Sequence, residues 1–592
     1  MILCITRILG GCWKIPWETS DMTALYFDIE TDGIDATKVH CISVIDKDTG
    51  EQQLYPPKKL QQGITKLQEA DELIGHNIIN FDIPILEKLH DFKTKAQLKD
   101  TLLMSRVLFG DLHKLDDHTV APLKWSQPPI KLCGSHSLKA WGYRVGELKG
   151  DFAELETWQI YTFEMGNYCN QDVVVTKKVF ELLIRAKGFS KTAMRIEHRF
   201  AEICARQERT GMPFDENKAD RLYGLLKSRS VEIKEELQKV FPPEILQLKT
   251  KTKEIPFNPG SRDQIAKRLE KLGWISPEHT PSGKAKIDEA ILSKCPLDEA
   301  RLVEEYLMLQ KRLGMIYEGK NGYLKLVKKG RIHGRLNTNG AVSGRTTASS
   351  PNLQQCPSVR TKYGKEFREL FYAPKGWKMV GVDMSSLELI CLALYMKDNN
   401  YMKEVVSGDV HSMNQKLAGL KTRDQAKLFI YALNYGCGDA FLAELIGSKN
   451  KKEGAKIRTK FLKGLPKLKS LTEKVQESAR SNGYVVGIDG RRLACREPRR
   501  ALNLLLQSCG AILSKMWVIT FHEDMESKGY TDKDYVQIAY IHDELQILAK
   551  KDIAEDVGKI AVEAISRAGG KFNLPVRVTG EFKIGENWAE TH

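Results

Sequence analysis

Six carboxylates of this 592-residue chain fall into two sets whose neighbours suit them to holding divalent cations. Asp28 and Glu30 lie in the β-prone run Ala24-Leu25-Tyr26-Phe27-Asp28-Ile29-Glu30, where strand period sets both on one face. Two anions on one face repel unless cations offset them, and Mg²⁺ prefers oxygen ligands of this kind. Asp82 follows in Phe81-Asp82, shortly after His76-Asn77. Tyr168 and Asp172 then stand four apart in Tyr168-Cys169-Asn170-Gln171-Asp172, on one face of a helix expected from about Tyr161 to Arg185. A phenol beside a carboxylate can orient a metal-held water, and two metals about 3.5 to 4 Å apart clamp the attacking and leaving oxygens of a displacement at phosphorus. Asp-x-Glu alone reads as a solvent-facing strand before a turn, so the signal lies in the ordered set. His76 reads as a packing or hydrogen-bonding residue.

The second set is Asp383 and Asp543. Trp377-Lys378-Met379-Val380-Gly381-Val382-Asp383 reads as a buried strand ending in a carboxylate, with Ser385-Ser386 expected to cap a helix that begins Leu387-Glu388. Val536–Ile541 and Leu545–Ile547 alternate as a hairpin whose tip is His542-Asp543-Glu544. If these strands are neighbours, the two carboxylates make a second two-metal site, suited to attack of a hydroxyl on an α-phosphate.

Between them, Arg423, Lys427, Tyr431 and Tyr435-Gly436 recur every four residues, so one helical face presents two cations and then two aromatics. The cations can neutralise a triphosphate, Tyr435 can stack near a nascent base pair, and Gly436 permits close approach of a template strand. A solvated basic stripe is the plainer reading, and the tyrosines argue against it. Arg499, Asn503 and Gln507 repeat at the same spacing on an otherwise apolar helix. Amides suit the minor groove, where the acceptors are nearly the same for every base pair.

These residues need several cores to position them, and a chain of this length divides into three or four units. With 91 Lys and Arg against 76 Asp and Glu the formal charge is +15, which suits a polyanionic partner without identifying one. The twelve cysteines form no Cys-x-x-Cys pair or Cys/His cluster, which argues against zinc sites and disulfide frameworks. No membrane span or secretory signal is read, so a cytoplasmic protein is the default. Met22 is expected to be the biological start, with residues 1–21 a disordered extension. The stretch 195–330 reads as mostly amphipathic helix with breaks at Phe241-Pro242-Pro243 and Phe257-Asn258-Pro259-Gly260, a basic lobe able to grip DNA.

The order Asp-x-Glu, Asp, Tyr-x-x-x-Asp resembles the DnaQ-like proofreading exonucleases. That resemblance makes Asp28, Glu30, Asp82 and Asp172 metal ligands and Tyr168 the holder of the water. From Met22 to His592 the chain resembles family A DNA polymerases, most of all the replicative polymerases of T-seven-like podophages, including cyanophages. Arg423-Asp424-Gln425-Ala426-Lys427, Ala501-Leu502-Asn503-Leu504-Leu505-Leu506-Gln507-Ser508 and Asn587-Trp588-Ala589 carry the likeness. It implies an α/β multidomain fold: an RNase H-like exonuclease (22–187), then a right hand with thumb (195–330), palm (331–395 and 486–592) and fingers (396–485). By the same resemblance Arg345, in Ser343-Gly344-Arg345-Thr346, meets the primer end, His411 adds a phosphate contact, and Glu388 crowds a ribose 2′-hydroxyl near Tyr431. Further DNA contacts are implied at Arg499, Asn503, Gln507, His542 and Gly436.

The implied activity is primer extension with dNTPs on a DNA template, with 3′-to-5′ proofreading and two Mg²⁺ per site, Mn²⁺ substituting. A helicase-primase and a single-stranded DNA-binding protein are the implied partners, in the host cytoplasm. A repair or organelle-type polymerase, or a nuclease with a DNA-binding C-terminal region, is the alternative. Two features depart from the family. Leu389-Ile390-Cys391-Leu392-Ala393-Leu394 is apolar where Arg and His are usual, and only 15 residues separate Phe241 from Phe257, which implies no thioredoxin clamp. Tyr431 stands where the family carries Tyr or Phe, and Tyr there implies ready incorporation of dideoxynucleotides. Tyr431→Phe is expected to raise discrimination against a dideoxynucleotide in a chain-termination assay; unchanged discrimination would refute the positional match.

Overall fold

The computed structural model describes residues 22–117, 126–150, 152, 158–247, 252–575 and 577–592. The expectation for residues 1–21 lies outside them. The chain divides into two compact units: residues up to Arg209 with Leu336–Thr347 and Val380–Lys583, and Thr210–Arg335 with Ala348–Met379 and Ile584–His592.

The first unit begins with a five-stranded sheet built from β1 (Ala24–Thr31), β2 (Val39–Asp46), β3 (Gln52–Tyr55), β4 (Glu72–Gly75) and β5 (Gln97–Asp100), in the order β3-β2-β1-β4-β5. β1 lies antiparallel to β2 and parallel to β4. Its alternation divides the apolar residues between two cores: Leu25, Phe27 and Ile29 join one, Tyr26 the other. The Tyr26 core also holds Val173, Val179 and Phe180 of a long helix, α5 (Phe163–Ile184). Asp28 and Glu30 share the parity of Tyr26, so they sit on the side that α5 covers. The longer helices before α5 are α1 (Leu60–Gln68), α2 (Asp82–His90), α3 (Thr101–Leu108) and α4 (Leu138–Val145). The last is capped by Ser137, and its Arg144 is buried against Asp116 at 2.7 Å, which makes that stretch a packing element.

Helix α6 (Lys191–Thr210) joins this sheet to the rest of the unit through consecutive buried residues. His198 Nε2 accepts from the Asp100 backbone N–H at 2.9 Å, beside the sheet. Glu197 accepts from Arg491 at 2.6 Å and from Lys515 at 2.6 and 2.8 Å. Lys515 also donates to the Thr338 carbonyl at 2.7 Å, and Arg491 to Asp489 at 2.8 Å.

The second unit holds α7 (Glu216–Val240), α8 (Arg262–Lys271) and α9 (Asp298–Leu313), as the amphipathic pattern predicts. It also holds a hairpin of β6 (Glu244–Gln247) and β7 (Thr252–Ile255), where helix was expected to dominate. Pro242-Pro243 stops α7, and the residues after it cannot rejoin a helical ladder. Phe241 and Phe257 then stack across the hairpin base, ring centroids 4.7 Å apart. Trp588 closes the C-terminal segment onto the Phe371 ring, 5.5 Å between centroids, with Arg368 over its face at 4.4 Å.

A four-stranded sheet runs β9-β10-β8-β11, from β8 (Trp377–Met384), β9 (Tyr535–Ile541), β10 (Glu544–Lys550) and β11 (Gly580–Gly585). β9 and β10 form the expected hairpin, but both strands are buried on both faces and the register slips between Gln537 and Ala539, so simple alternation does not hold. Four helices flank the site in this part: α10 (Leu387–Met396), α11 (Val410–Ala418), α12 (Arg423–Asn434) and α13 (Ala501–Ser527). A fifth, α14 (Ala554–Lys571), packs on α13, whose Trp517 donates to the Ala561 carbonyl at 2.8 Å. The stretch Pro498–Ser527 is long and apolar enough to cross a membrane, although no span was read there, and 89% of its most apolar window is buried inside the protein. A helix enclosed on every side needs no polar face.

Replacing Glu197 with Ala leaves the buried Lys515 ammonium without its carboxylate, beside the Thr338 carbonyl and the Phe200 ring. Removing one member of a buried ion pair costs about 3–5 kcal/mol. The Glu197→Ala variant is therefore expected to unfold at lower urea concentration than the wild type, while Glu202→Ala, at a partly exposed pair, is expected to shift far less.

Candidate active sites

The first carboxylate set converges as the strand and helix periods require. Asp28 and Glu30 project from β1 toward α5, which brings Tyr168 and Asp172 over them on adjacent turns. Asp82, the first residue of α2, accepts from the Ile29 backbone N–H at 3.3 Å. Glu30, Asp82 and Asp172 are 7%, 2% and 3% exposed, so little water screens their repulsion. The Asp28 carboxyl is held well above the usual range by burial, then by Asp82, Asp172 and Glu30; Glu30 is raised by burial and then Asp172. Burial also lifts Asp82 to about 7 and Asp172 to about 6, against the pull of Lys149 on the latter. His76 is pushed down to about 3 by burial and hydrogen-bonds Thr101 at 2.9 Å, the structural part read for it.

Two neighbours escaped the sequence reading. Cys169 places its Sγ within 4.8 Å of donor atoms of both Asp28 and Glu30. Lys149 pairs with Asp172 Oδ2 and lies over the Tyr168 ring, 4.7 Å from its centroid. Neither has a spacing signal, because each arrives from a different turn or loop. Asp172 Oδ1 is buried with no hydrogen-bond partner among the described residues, and a set of carboxylate oxygens with one such orphan suits a hard divalent ion. Tyr168, raised to about 12 by burial and then by Asp172, stays a phenol able to donate or accept.

The second set also converges. β8 and β10 are neighbours, the Met384 N–H donates to the Asp543 carbonyl at 3.0 Å, and a cavity of about 280 Å³ is lined by Asp383, Asp543, Arg345, Glu388, Tyr431 and His542 among others. Asp543 is raised by burial. His542 holds the hairpin tip at φ 60°, braced from α13 by Ser514, which donates to the His542 carbonyl at 2.6 Å. Ser386 precedes α10 as expected but does not cap it: at φ 54° its side chain makes no capping bond, and the first-turn N–H groups of Leu389 and Ile390 go to its carbonyl.

Glu388 accepts from the Tyr435 phenol at 2.9 Å and pairs with Arg345 at 3.5 Å. Tyr431 lines the cavity, with the His411 ring 6.3 Å away. Arg423 and Lys427 are exposed on α12, Arg423 paired with Asp409 at 3.0 Å. Tyr435 falls one residue past the end of α12, and Gly436, at φ 72°, is packed so that a Cβ would come 3.0 Å from the Arg499 carbonyl. Asn503 and Gln507 share α13, whereas Arg499 sits in a 3₁₀ turn before it, because Pro498 opens that turn. Arg499 donates to Glu497 at 2.8 Å.

Residues 225–590 match DNA polymerase family A, and residues 25–120 match the RNase_H superfamily. The chain is 32% identical to the DNA-directed DNA polymerase of Enterobacteria phage T3, covering 96% of this chain and 100% of that one. It is likewise 32% identical to that of Escherichia phage T7, covering 95% and 99%. A thermostable DNA polymerase I of Thermus aquaticus is 28% identical over 66% of this chain and 48% of its own. Among solved structures, the POL domain of Pol1 from M. smegmatis, in complex with DNA primer-template and dNTP, shares the fold at a TM-score of 0.75 and 17% identity, covering 100% of this chain and 98% of that one.

The raised carboxylates give the first set a pH signature. Folded and metal-free, Asp172 and Asp82 bind protons up to about pH 6 and about pH 7, where unfolded carboxylates near 4 do not. Folding is therefore favoured as pH falls through that window and weakened as it rises. Mg²⁺ must expel those protons, so calorimetry at about pH 6 in buffers of different ionisation enthalpy is expected to report proton release, and less of it from Asp28→Asn.

Proposed function

The chain belongs to DNA polymerase family A, and on that premise we propose how its two carboxylate sites divide the copying of DNA. It is a DNA-directed DNA polymerase of the phage type, with an RNase H-like domain at its N-terminal side, and its family depends on divalent metal ions. The residue roles below, two Mg²⁺ per site and the division into exonuclease (22–187), thumb (195–330), palm (331–395 and 486–592) and fingers (396–485) are our reading. Its main support is that β8 and β10 bring Asp383 and Asp543 into one cavity while a separate four-carboxylate cluster stands on β1, α2 and α5.

Asp383 and Asp543 would hold two Mg²⁺, which would favour ionisation of a primer 3′-hydroxyl and offset triphosphate charge. Arg423, Lys427 and His411 take the phosphates of an incoming dNTP. Tyr431 and Tyr435 present aromatic faces to the base and sugar, and Glu388, fixed by Tyr435 and Arg345, crowds the place of a 2′-hydroxyl. Arg345, Arg499, Asn503, Gln507, His542 and Gly436 face the primer-template. In the exonuclease site Asp28, Glu30, Asp82 and Asp172 hold the metal ions, and Tyr168 orients the attacking water.

The near-complete coverage of the phage T3 and T7 polymerases, with both carboxylate sets intact, favours replication over repair and over a nuclease with a passive DNA-binding half. A helicase-primase and a single-stranded DNA-binding protein are the expected companions in a host cytoplasm. The short Phe241–Phe257 connection argues against a thioredoxin clamp.

A labelled primer on a long single-stranded template, with Mg²⁺ and four dNTPs, is expected to be extended. Asp543→Ala should lower extension by roughly a thousandfold while degradation of single-stranded 3′ ends continues; Asp28→Ala should do the reverse. No extension by the wild type, or loss of both activities in either variant with the fold intact, would refute the assignment.

A further inference from the structure

We propose that Lys149 is the substrate-binding cation of the exonuclease site, contacting the phosphodiester at the 3′ end of the strand to be trimmed; this rests on the exonuclease reading above. The position of Lys149 is built rather than incidental. Gln171 of α5 donates to the Leu148 carbonyl at 2.8 Å and to Glu147 Oε1 at 2.8 Å, and Lys178, two turns on, grips Glu147 Oε2 at 2.5 Å. The same helix thus pins the two residues before Lys149 and supplies, at Tyr168 and Asp172, the groups its ammonium meets. Gly150 then lies so close that a Cβ there would come 3.3 Å from the Tyr168 ring, which holds the chain down past the lysine. Phe152 and Trp158 also pack on Tyr168, at 5.7 and 6.1 Å between centroids. The Lys149 side chain keeps 21% exposure where Asp172 keeps 4%, so the cation is on the open side of the cluster.

Charge balance gives the ammonium a task. Two divalent ions offset the four carboxylates and leave nothing for the phosphodiester anion that must enter. One fixed lysine supplies that charge, and a cation anchored by Asp172 and by an aromatic face loses little freedom when the anion arrives. It also stands beside Tyr168, where a phosphate oxygen and the attacking water have to be aligned.

The test uses the full chain as wild type, Lys149→Met and Lys149→Arg. Three quantities are read: single-turnover hydrolysis of a 5′-labelled single-stranded oligonucleotide with Mg²⁺, anisotropy of a fluorescein-labelled oligonucleotide in EDTA at low ionic strength, and matched-primer extension as the check on folding. Lys149→Met is expected to lose about a hundredfold in hydrolysis and about tenfold in metal-free binding, with extension unchanged. Lys149→Arg is expected to recover most of the binding. Lys149→Met that hydrolyses at the wild-type rate, or that loses hydrolysis but binds in EDTA like the wild type, would overturn the assignment, the latter leaving Lys149 a structural counter-ion of Asp172. A wild type no more active than Asp28→Ala would instead remove the exonuclease reading, and the lysine assignment with it.

Discussion

Like-charge repulsion at short range is what this structure is built to contain. Four carboxylates of one site crowd where water screens them little, two of another share one cavity, and nothing in their own chemistry brings them together. The work is done by apolar residues elsewhere on the same elements. Leu25, Phe27 and Ile29 bury one face of β1, which forces Asp28 and Glu30 to the other, and Val173, Val179 and Phe180 seat α5 over that face. The raised proton affinity of Asp28, Glu30, Asp82 and Asp172 measures the cost, and a divalent ion is the group that removes it.

The second site is contained by different means. Its carboxylates come from neighbouring strands, and α13 braces the hairpin tip through Ser514, while the next residue, Lys515, reaches the buried Glu197 of α6. Glu197 and His198 face opposite ways along that helix, one toward Arg491 and Lys515, the other toward Asp100 beside the first sheet. A buried ion network of this kind contributes little net stability compared with apolar packing, but it tolerates few alternative arrangements. Its effect is to fix the element that braces the hairpin carrying Asp543.

Much of this was legible in the sequence because periodicity carried it. Asp28 with Glu30, and Tyr168 with Asp172, follow from strand and helix periods that long-range packing did not alter. Asp383 and Asp543 were legible as strand ends, but their adjacency was not, since strand order depends on contacts some 160 residues apart. Local chemistry failed where the backbone took an unusual path. Ser386 was read as a cap and instead adopts a left-handed turn, and Arg499 was read onto α13 although Pro498 opens a separate 3₁₀ turn. The hairpin after Pro242-Pro243 was missed because the weak alternation of Glu244–Gln247 is stabilised by Phe241 meeting Phe257 across its base. Lys149 and Cys169 left no trace, since their place depends on how a loop and a helix turn meet the sheet.

The two sites also differ in where their positive charge comes from. Asp383 is exposed in its cavity, and Arg423 and Lys427 are exposed on α12, so that site is arranged to receive charge along with its substrate. A nucleoside triphosphate arrives with several anionic oxygens and the metal ions they carry, and an exposed carboxylate can join that assembly late. A strand end brings one negative charge per phosphate and little metal of its own. On the proposed exonuclease reading, Glu30, Asp82 and Asp172 are accordingly buried beside a half-buried Asp28, with a lysine already in place, so that the site needs only its ions and the strand. On this reading burial, more than residue type, separates the two chemistries: the same carboxylates serve synthesis where water reaches them and trimming where it does not.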